Sequence, residues 1–146
     1  MEHISISHIV TGLALALTFG GMTFFSGVTA PLVFTKLPID TAGQFIRQLF
    51  PWYYLTMGIT TLVALVALAF GTSGFTSWET GLTALVLLGF VYARQSLMPM
   101  INRARDAELA GDNEAGARFT RLHRLSVLIN GLQWFAVLVA LILVLS

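Results

Sequence analysis

Four apolar stretches divide the chain. The first, Ile9 to Val28, carries no charge. At ~1.5 Å of rise per residue, a helix of that length crosses the ~30 Å hydrocarbon core of a bilayer. Pro31 weakens the helix beyond it, and Lys36 and Pro38 mark its exit. Leu49 to Phe70 is a second uncharged run, ended by Gly71, Ser73 and Gly74. The third run is interrupted, because Glu79 and Arg94 bracket a shorter uncharged stretch. That stretch gives only about 21 Å of helix, too short to span. The third span must therefore reach past Arg94 to Met98, with Arg94 inside one edge of the membrane. Leu125 to Leu145 is a fourth run, again with no formal charge and again long enough to cross. The pattern predicts an all-α, multi-pass membrane protein. Its residues 1–146 form one domain, an antiparallel four-helix transmembrane bundle with helices three and four extended into the cytoplasm.

The connections are patterned too. Phe45, Ile46, Leu49 and Phe50 share one helical face, with Arg47 and Gln48 on the other. Asp40 is a suitable N-cap, so Thr41 to Phe50 reads as an interfacial helix that meets span two at Pro51. Between spans three and four, Pro99 to Arg124 prolongs both helices. Gly111 closes one, and Asp112 or Asn113 caps the next. Glu114 and Arg118 are spaced as an i,i+4 pair, and weak ion pairs are expected along this hairpin.

Charge orients the bundle. All eight Lys and Arg lie at the two connections or beside them: Lys36 and Arg47 after span one, and Arg94, Arg103, Arg105, Arg118, Arg121 and Arg124 around the longer hairpin. By the positive-inside rule both connections are cytoplasmic and both termini are not. Met1 to Ser7 has no basic segment and no small-residue cleavage site follows, so the first run reads as a retained span. We expect a protein of the bacterial inner membrane. The composition agrees, at 56% hydrophobic and 10% charged, with a mean hydropathy of +0.81. A net charge of +1 gives no argument for nucleic acid. The absence of cysteine removes disulfides, thiolate metal sites and cysteine nucleophiles.

Several short stretches resemble a known family. Gly20-Gly21-Met22-Thr23-Phe24-Phe25, Ala30-Pro31, Phe34 and Leu37-Pro38 resemble the first span of the transmembrane-protein-205-like family. Leu49 to Tyr54 resembles the start of its second span. Phe119, Leu122, His123, Ser126 and Asn130 resemble the start of its fourth. The order and spacing match along nearly the whole chain. More remotely, the layout is similar to the membrane domains of copper-resistance-D-like proteins, a group that includes haem-pathway oxidases. The nearer family is defined by a domain of unknown function, so the resemblance implies a fold and no agreed activity.

The candidate chemistry is sparse. His3 lies in the tail, His8 opens helix one at the outer surface, and His123 opens helix four at the inner surface. The last two are about 25 Å apart along the membrane normal and do not share one iron or metal within a protomer. A haem on one histidine, or a site shared between protomers, stays open. No metal site is expected, since no Cys, Asp or Glu stands at ligand spacing. Met98 and Met100 straddle Pro99 and read as packing, with a soft-metal relay as the alternative. No nucleophile with its base, phosphate loop or paired-carboxylate site is present. Few acids lie at membrane depth, which argues against a proton-coupled pump.

The inner half is more informative. His123, Ser126 and Asn130 share a face of helix four, with Gln133, Trp134 and Val137 continuing it. Arg94 and Gln95 come to a similar depth on helix three, and Tyr53 and Tyr54 on helix two. A polar face in a membrane points inward, so Arg94, His123, Ser126, Asn130, Gln133, Tyr53 and Tyr54 form the candidate ligand pocket. It suits a carboxylate, a lipid head group or a quinone. The alternative is structural, with Arg94 snorkelling to the interface and the others bonding between helices. Helix one carries Gly12, Ala16 and Gly20 at small-xxx-small spacing, with Thr23 and Gly27 on an adjacent strip. These residues serve packing within the bundle or a homodimer seam. The leading expectation is a non-enzymatic protein that binds or moves a small amphipathic or anionic ligand. The alternatives are a haem- or quinone-dependent redox protein, and a scaffold that recruits partner proteins.

Overall fold

The computed structural model describes residues 5–71 and 74–146. They form four helices: α1 at Ile6–Lys36, α2 at Ile39–Phe70, α3 at Trp78–Leu109 and α4 at Ala115–Leu145, each long and apolar enough to cross a membrane. No strand occurs among the described residues. His3 lies outside them, as does part of the Gly71 to Ser77 turn. Each helix, at 31 or 32 residues, is about 47 Å long and overreaches the hydrocarbon core at its ends.

Local chemistry sets the starts and stops. Ser5 accepts a hydrogen bond from the His8 backbone N–H, and Ser77 accepts one from that of Thr80. Asp112 Oδ1 caps α4 through the N–H groups of Glu114 and Ala115. Gly111, at φ 95°, closes α3. Its N–H reaches the Glu108 carbonyl, and the N–H of Asp112 reaches that of Ala107.

Two expectations about α2 need correction. The helix begins at Ile39 after Pro38, so Asp40 sits in its first turn rather than at its cap. There a carboxylate favours the helix by facing the positive end of its dipole. No junction separates an interfacial helix from a span, because α2 runs through Pro51 unbroken. Elsewhere proline leaves a mark. Pro31 and Pro99 each follow a π-helical turn, Phe25–Thr29 in α1 and Ala93–Leu97 in α3. A proline ring crowds the carbonyl one turn back, and widening that turn relieves the crowding. Thus α1 continues to Lys36 and α3 carries Arg94 inside its wide turn.

Neighbouring helices run in opposite directions. Thr18 meets Thr60 and Phe25 meets Phe50 between α1 and α2. Gln133 meets Val86 between α4 and α3, and Trp134 meets Thr23 between α4 and α1. In cyclic order α1 packs on α2 and α4, and α3 also packs on α2 and α4. Therefore α2 and α4 face each other across a diagonal. The core is formed by Leu15 and Met22, by Tyr53, Tyr54, Met57 and Leu68, by Val86 and Phe90, and by Val137 and Val144. Leu17, Leu62, Leu85, Leu88, Leu132 and Phe135 point outward and are exposed, as lipid-facing residues are.

The small-residue stripe of α1 does not pack the bundle as that reading expected. Ala16, Gly20 and Gly27 are on its outside. A Cβ added at Gly20 or Gly27 meets nothing within 4 Å, and one at Gly12 makes only ordinary contact with Leu145. The close approach of α1 to α2 falls at Gly21, where an added Cβ would lie 2.6 Å from the Met57 methyl. Thr23 uses its hydroxyl to accept a hydrogen bond from the Trp134 indole at 2.8 Å.

Candidate functional site

The end of the bundle that carries the α3–α4 hairpin gathers most of the candidate residues. Tyr53 and Tyr54 project from α2 into the core and reach across the diagonal to α4. The Tyr53 hydroxyl donates to Asn130 Oδ1 at 3.0 Å, and the Tyr54 hydroxyl lies 3.4 Å from Ser126 Oγ. An aromatic cluster fixes both rings. Phe25 lies 4.5 Å from Tyr53, and Phe50 stacks on Tyr54 at 5.4 Å between centroids.

Outside this layer a cleft of about 40 Å³ opens, lined by Arg47, Phe50, Tyr54, Met98, Ile101, Asn102, His123 and Ser126. Its polar groups are held from several sides. Arg47 makes a two-pronged ion pair with Asp106 at 2.6 and 2.8 Å. That contact ties α2 to α3, and its hydrogen bonds hold the Asp106 carboxyl, beyond the apolar run, below the usual carboxylate range. His123 stacks on Phe119 at 5.9 Å with planes 14° apart. The Arg105 guanidinium sits 5.5 Å from the same Phe119 ring. Arg105 itself pairs with Glu108 at 2.6 Å.

Other expected members go elsewhere. Arg94 is half-buried, and its Nε donates to the Pro51 carbonyl at 3.3 Å. Among the described residues it makes no hydrogen bond to Ser126, Asn130 or His123. Gly89 is the position of α3 that faces Gln133 of α4, and Arg94, five residues on, is turned about 140° from it towards α2. Gln95 is exposed. Gln133 is buried and donates to the Val86 carbonyl at 3.0 Å, while its Oε1 and the Thr83 hydroxyl have no partner. Gly89 makes room for it, since a Cβ there would lie 2.7 Å from Gln133 Nε2. The i,i+4 pair of Glu114 and Arg118 does not form. The ion pairs among the described residues are Arg47 with Asp106 and Arg105 with Glu108.

Residues 13–109 match the model of a family described as a domain of unknown function, DUF4149. The chain belongs to this family. The DUF4149 match takes in most of α1 and all of α2 and α3, including Arg47, Tyr53, Tyr54, Met98 and Asn102. The α4 side of the cleft, His123 and Ser126, lies beyond it. No curated protein and no solved structure matches the chain at a significant level.

Sequence reasoning missed Arg47, Phe50, Met98, Ile101 and Asn102 as cleft residues. For Arg47 the signal is a partner 59 residues away, which no local pattern shows. For Ile101 and Asn102 the helical phase after Pro99 depends on the wide turn before it.

The histidines do not fit a two-histidine haem. His8 lines a cavity with Leu143 and Val144 at the far end of the bundle. His123 lies some five turns earlier on α4, about 30 Å away. Among the described residues no three His, Cys, Asp or Glu side chains form a metal-ligand set.

Proposed function

We propose that this is a non-enzymatic membrane protein that binds a small amphipathic or anionic ligand in the cleft at the hairpin end. The hairpin lies in the cytoplasm in this reading, and both termini lie across the membrane, because the cationic residues all gather at that end. The observation that carries the proposal is the floor of the cleft. At 3.4 Å the Tyr54–Ser126 contact is well beyond the ~2.7–2.8 Å preferred between hydroxyl oxygens. Both groups can therefore turn to an incoming carboxylate or phosphate oxygen at little cost. Asn102 and His123 offer further hydrogen bonds at the rim, and Arg47 supplies a guanidinium partly offset by Asp106.

Size chooses the kind of ligand. A bound water needs ~10–15 Å³ of cavity space, so a cleft of about 40 Å³ admits the few leading oxygens of a head group and not a whole solute. The bulk of the ligand stays outside, with its tail among lipid. This favours binding at the mouth of the bundle over passage through it.

The test is saturable binding of palmitate, a C16 carboxylate, to the purified full chain in detergent, with the C16 alcohol as control. Each lost hydrogen bond costs about 0.5–1.5 kcal/mol. Tyr54→Phe and Ser126→Ala should each weaken palmitate binding by about two- to tenfold, since about 1.4 kcal/mol is tenfold. Non-saturable partitioning, equal in both variants and the original chain, would overturn the proposal.

A further inference from the structure

The arginines of α4 that take no part in the cleft form a separate pattern. Arg118, Arg121 and Arg124 are exposed and make no ion pair among the described residues. At about 100° per residue they fall within one arc of roughly 120°. The same arc, continued into the apolar run, holds Leu125, Leu128, Leu132, Phe135 and Val139, all exposed. Ser126, Gln133, Val137 and Ala140 occupy the opposite side. The arginine stripe is thus the outward continuation of the face that α4 turns to lipid.

Depth places the stripe as well. Arg124 directly precedes the apolar run, Arg121 lies about 6 Å from its first residue, and Arg118 about 10 Å. Between the hydrocarbon and the bulk water lies a head-group layer of about 5–7 Å on each side. Helical Cα–Cβ bonds tilt towards the N-terminus, so Arg124 and Arg121 lean out of the hydrocarbon into that layer. The acids nearby are committed or remote. Asp106 and Glu108 pair with Arg47 and Arg105, and Asp112 caps α4. Glu114 shares the arc but sits a full turn beyond Arg118.

We infer that Arg118, Arg121 and Arg124 form a docking surface for anionic phospholipid head groups, with the acyl chains lying along Leu125, Leu128 and Leu132. The surface reads charge and depth together. A phosphate at the head-group level meets two guanidiniums capable of two-pronged hydrogen bonds, while its chains meet the apolar continuation of the same face. This goes beyond the cleft proposal and does not rest on it.

The full chain in detergent, given equal phosphatidylglycerol and phosphatidylcholine, tests it by native mass spectrometry. Each basic residue near a membrane surface contributes a factor of about five towards anionic lipid. Phosphatidylglycerol should be retained at least about fivefold over phosphatidylcholine on that basis. In the triple variant Arg118→Gln, Arg121→Gln, Arg124→Gln the ratio should fall near unity. Lysine at the three positions should restore most of it, and the single change Arg121→Gln serves if the triple variant fails to fold. In a Tyr54→Phe background the three glutamine changes should lower the ratio by the same factor as in the original chain, which separates this surface from the cleft. Equal retention of both lipids by the original chain would overturn the inference and assign the stripe to a soluble acidic partner. An unchanged ratio in the glutamine variants would do the same. So would full competition by soluble glycerol phosphate, since the site would then read a free anion.

Discussion

At the end that carries the termini, His8, Thr11, Leu68, Glu79, Leu143, Val144 and Ser146 surround a cavity of about 200 Å³. At the hairpin end the cleft measures about 40 Å³. The larger space has the weaker claim to a ligand. Around it the hydroxyls bond locally, as Thr11 does to the Ser7 carbonyl on its own helix. No side-chain hydrogen bond crosses between helices there among the described residues. At the hairpin end Tyr53 and Tyr54 span the bundle to Asn130 and Ser126, and a guanidinium stands at the rim. Volume marks where packing is loose. Converging polar groups from different helices mark where something specific can be recognised.

The comparison breaks most visibly at Tyr53. Its ring is buried against Phe25, Phe50 and Tyr54, so Tyr53→Ala should cost about 3–5 kcal/mol of unfolding free energy. Steric trapping or denaturant unfolding in mixed micelles measures it. At Thr60 the bond to Thr18 joins neighbouring helices, and Thr60→Ala should cost only about 0.6 kcal/mol. Equal losses at the two sites would erase the distinction.

A milder change separates the ring from its hydroxyl. Tyr53→Phe leaves Asn130 Oδ1 without its donor and should cost about 1–3 kcal/mol. A double-mutant cycle should couple Tyr53 to Asn130 by at least about 0.5 kcal/mol. The same cycle between Arg94 and Asn130 should return zero within error, because Arg94 turns to Pro51.

These pairs also show what the sequence made legible. Three uncharged runs, a fourth that had to reach past Arg94, and a one-sided set of Lys and Arg were enough for four spans and the hairpin, because hydrocarbon thickness sets a minimum helix length and Gly111 and Asp112 fix the turn. Tyr53, Tyr54, Ser126 and Asn130 could be placed at one depth by counting residues. Their pairing could not, since it depends on α2 and α4 being diagonal. Arg94 failed for a related reason. Counting residues fixed its depth and not its direction: Gly89 faces α4, and five residues on, at about 100° each, the helix has turned Arg94 some 140° away from that side. Gln133 is similar, because its partner is the Val86 carbonyl and its space is the missing Cβ of Gly89.

The smallest expected effect lies at the rim. Arg47 and Asp106 are half exposed, so their pair is strongly screened. The folded carboxyl titrates below its unfolded value. Its stabilising contribution is therefore present above the unfolded pKa of about 3.9 and fades as the pH falls below it through the lower folded value. Once the slower intrinsic exchange at low pH is divided out, the opening of the hairpin measured by hydrogen exchange should rise slightly on acidification, less in Asp106→Asn and less in high salt. An increase equal in size in Asp106→Asn would show that this contact contributes nothing.

The most direct measurement compares the two ends in one experiment. A C16 fatty acid with a photoactivatable diazirine beside its carboxylate is bound to the purified chain and irradiated, and the labelled peptides are mapped. Ligand binding at the hairpin end predicts label concentrated on Phe50 to Tyr54, Met98 to Asn102 and His123 to Ser126, and displaced by unlabelled palmitate. Label concentrated on His8 to Thr11 and Leu143 to Ser146, or spread evenly over the lipid-facing surface, would contradict it.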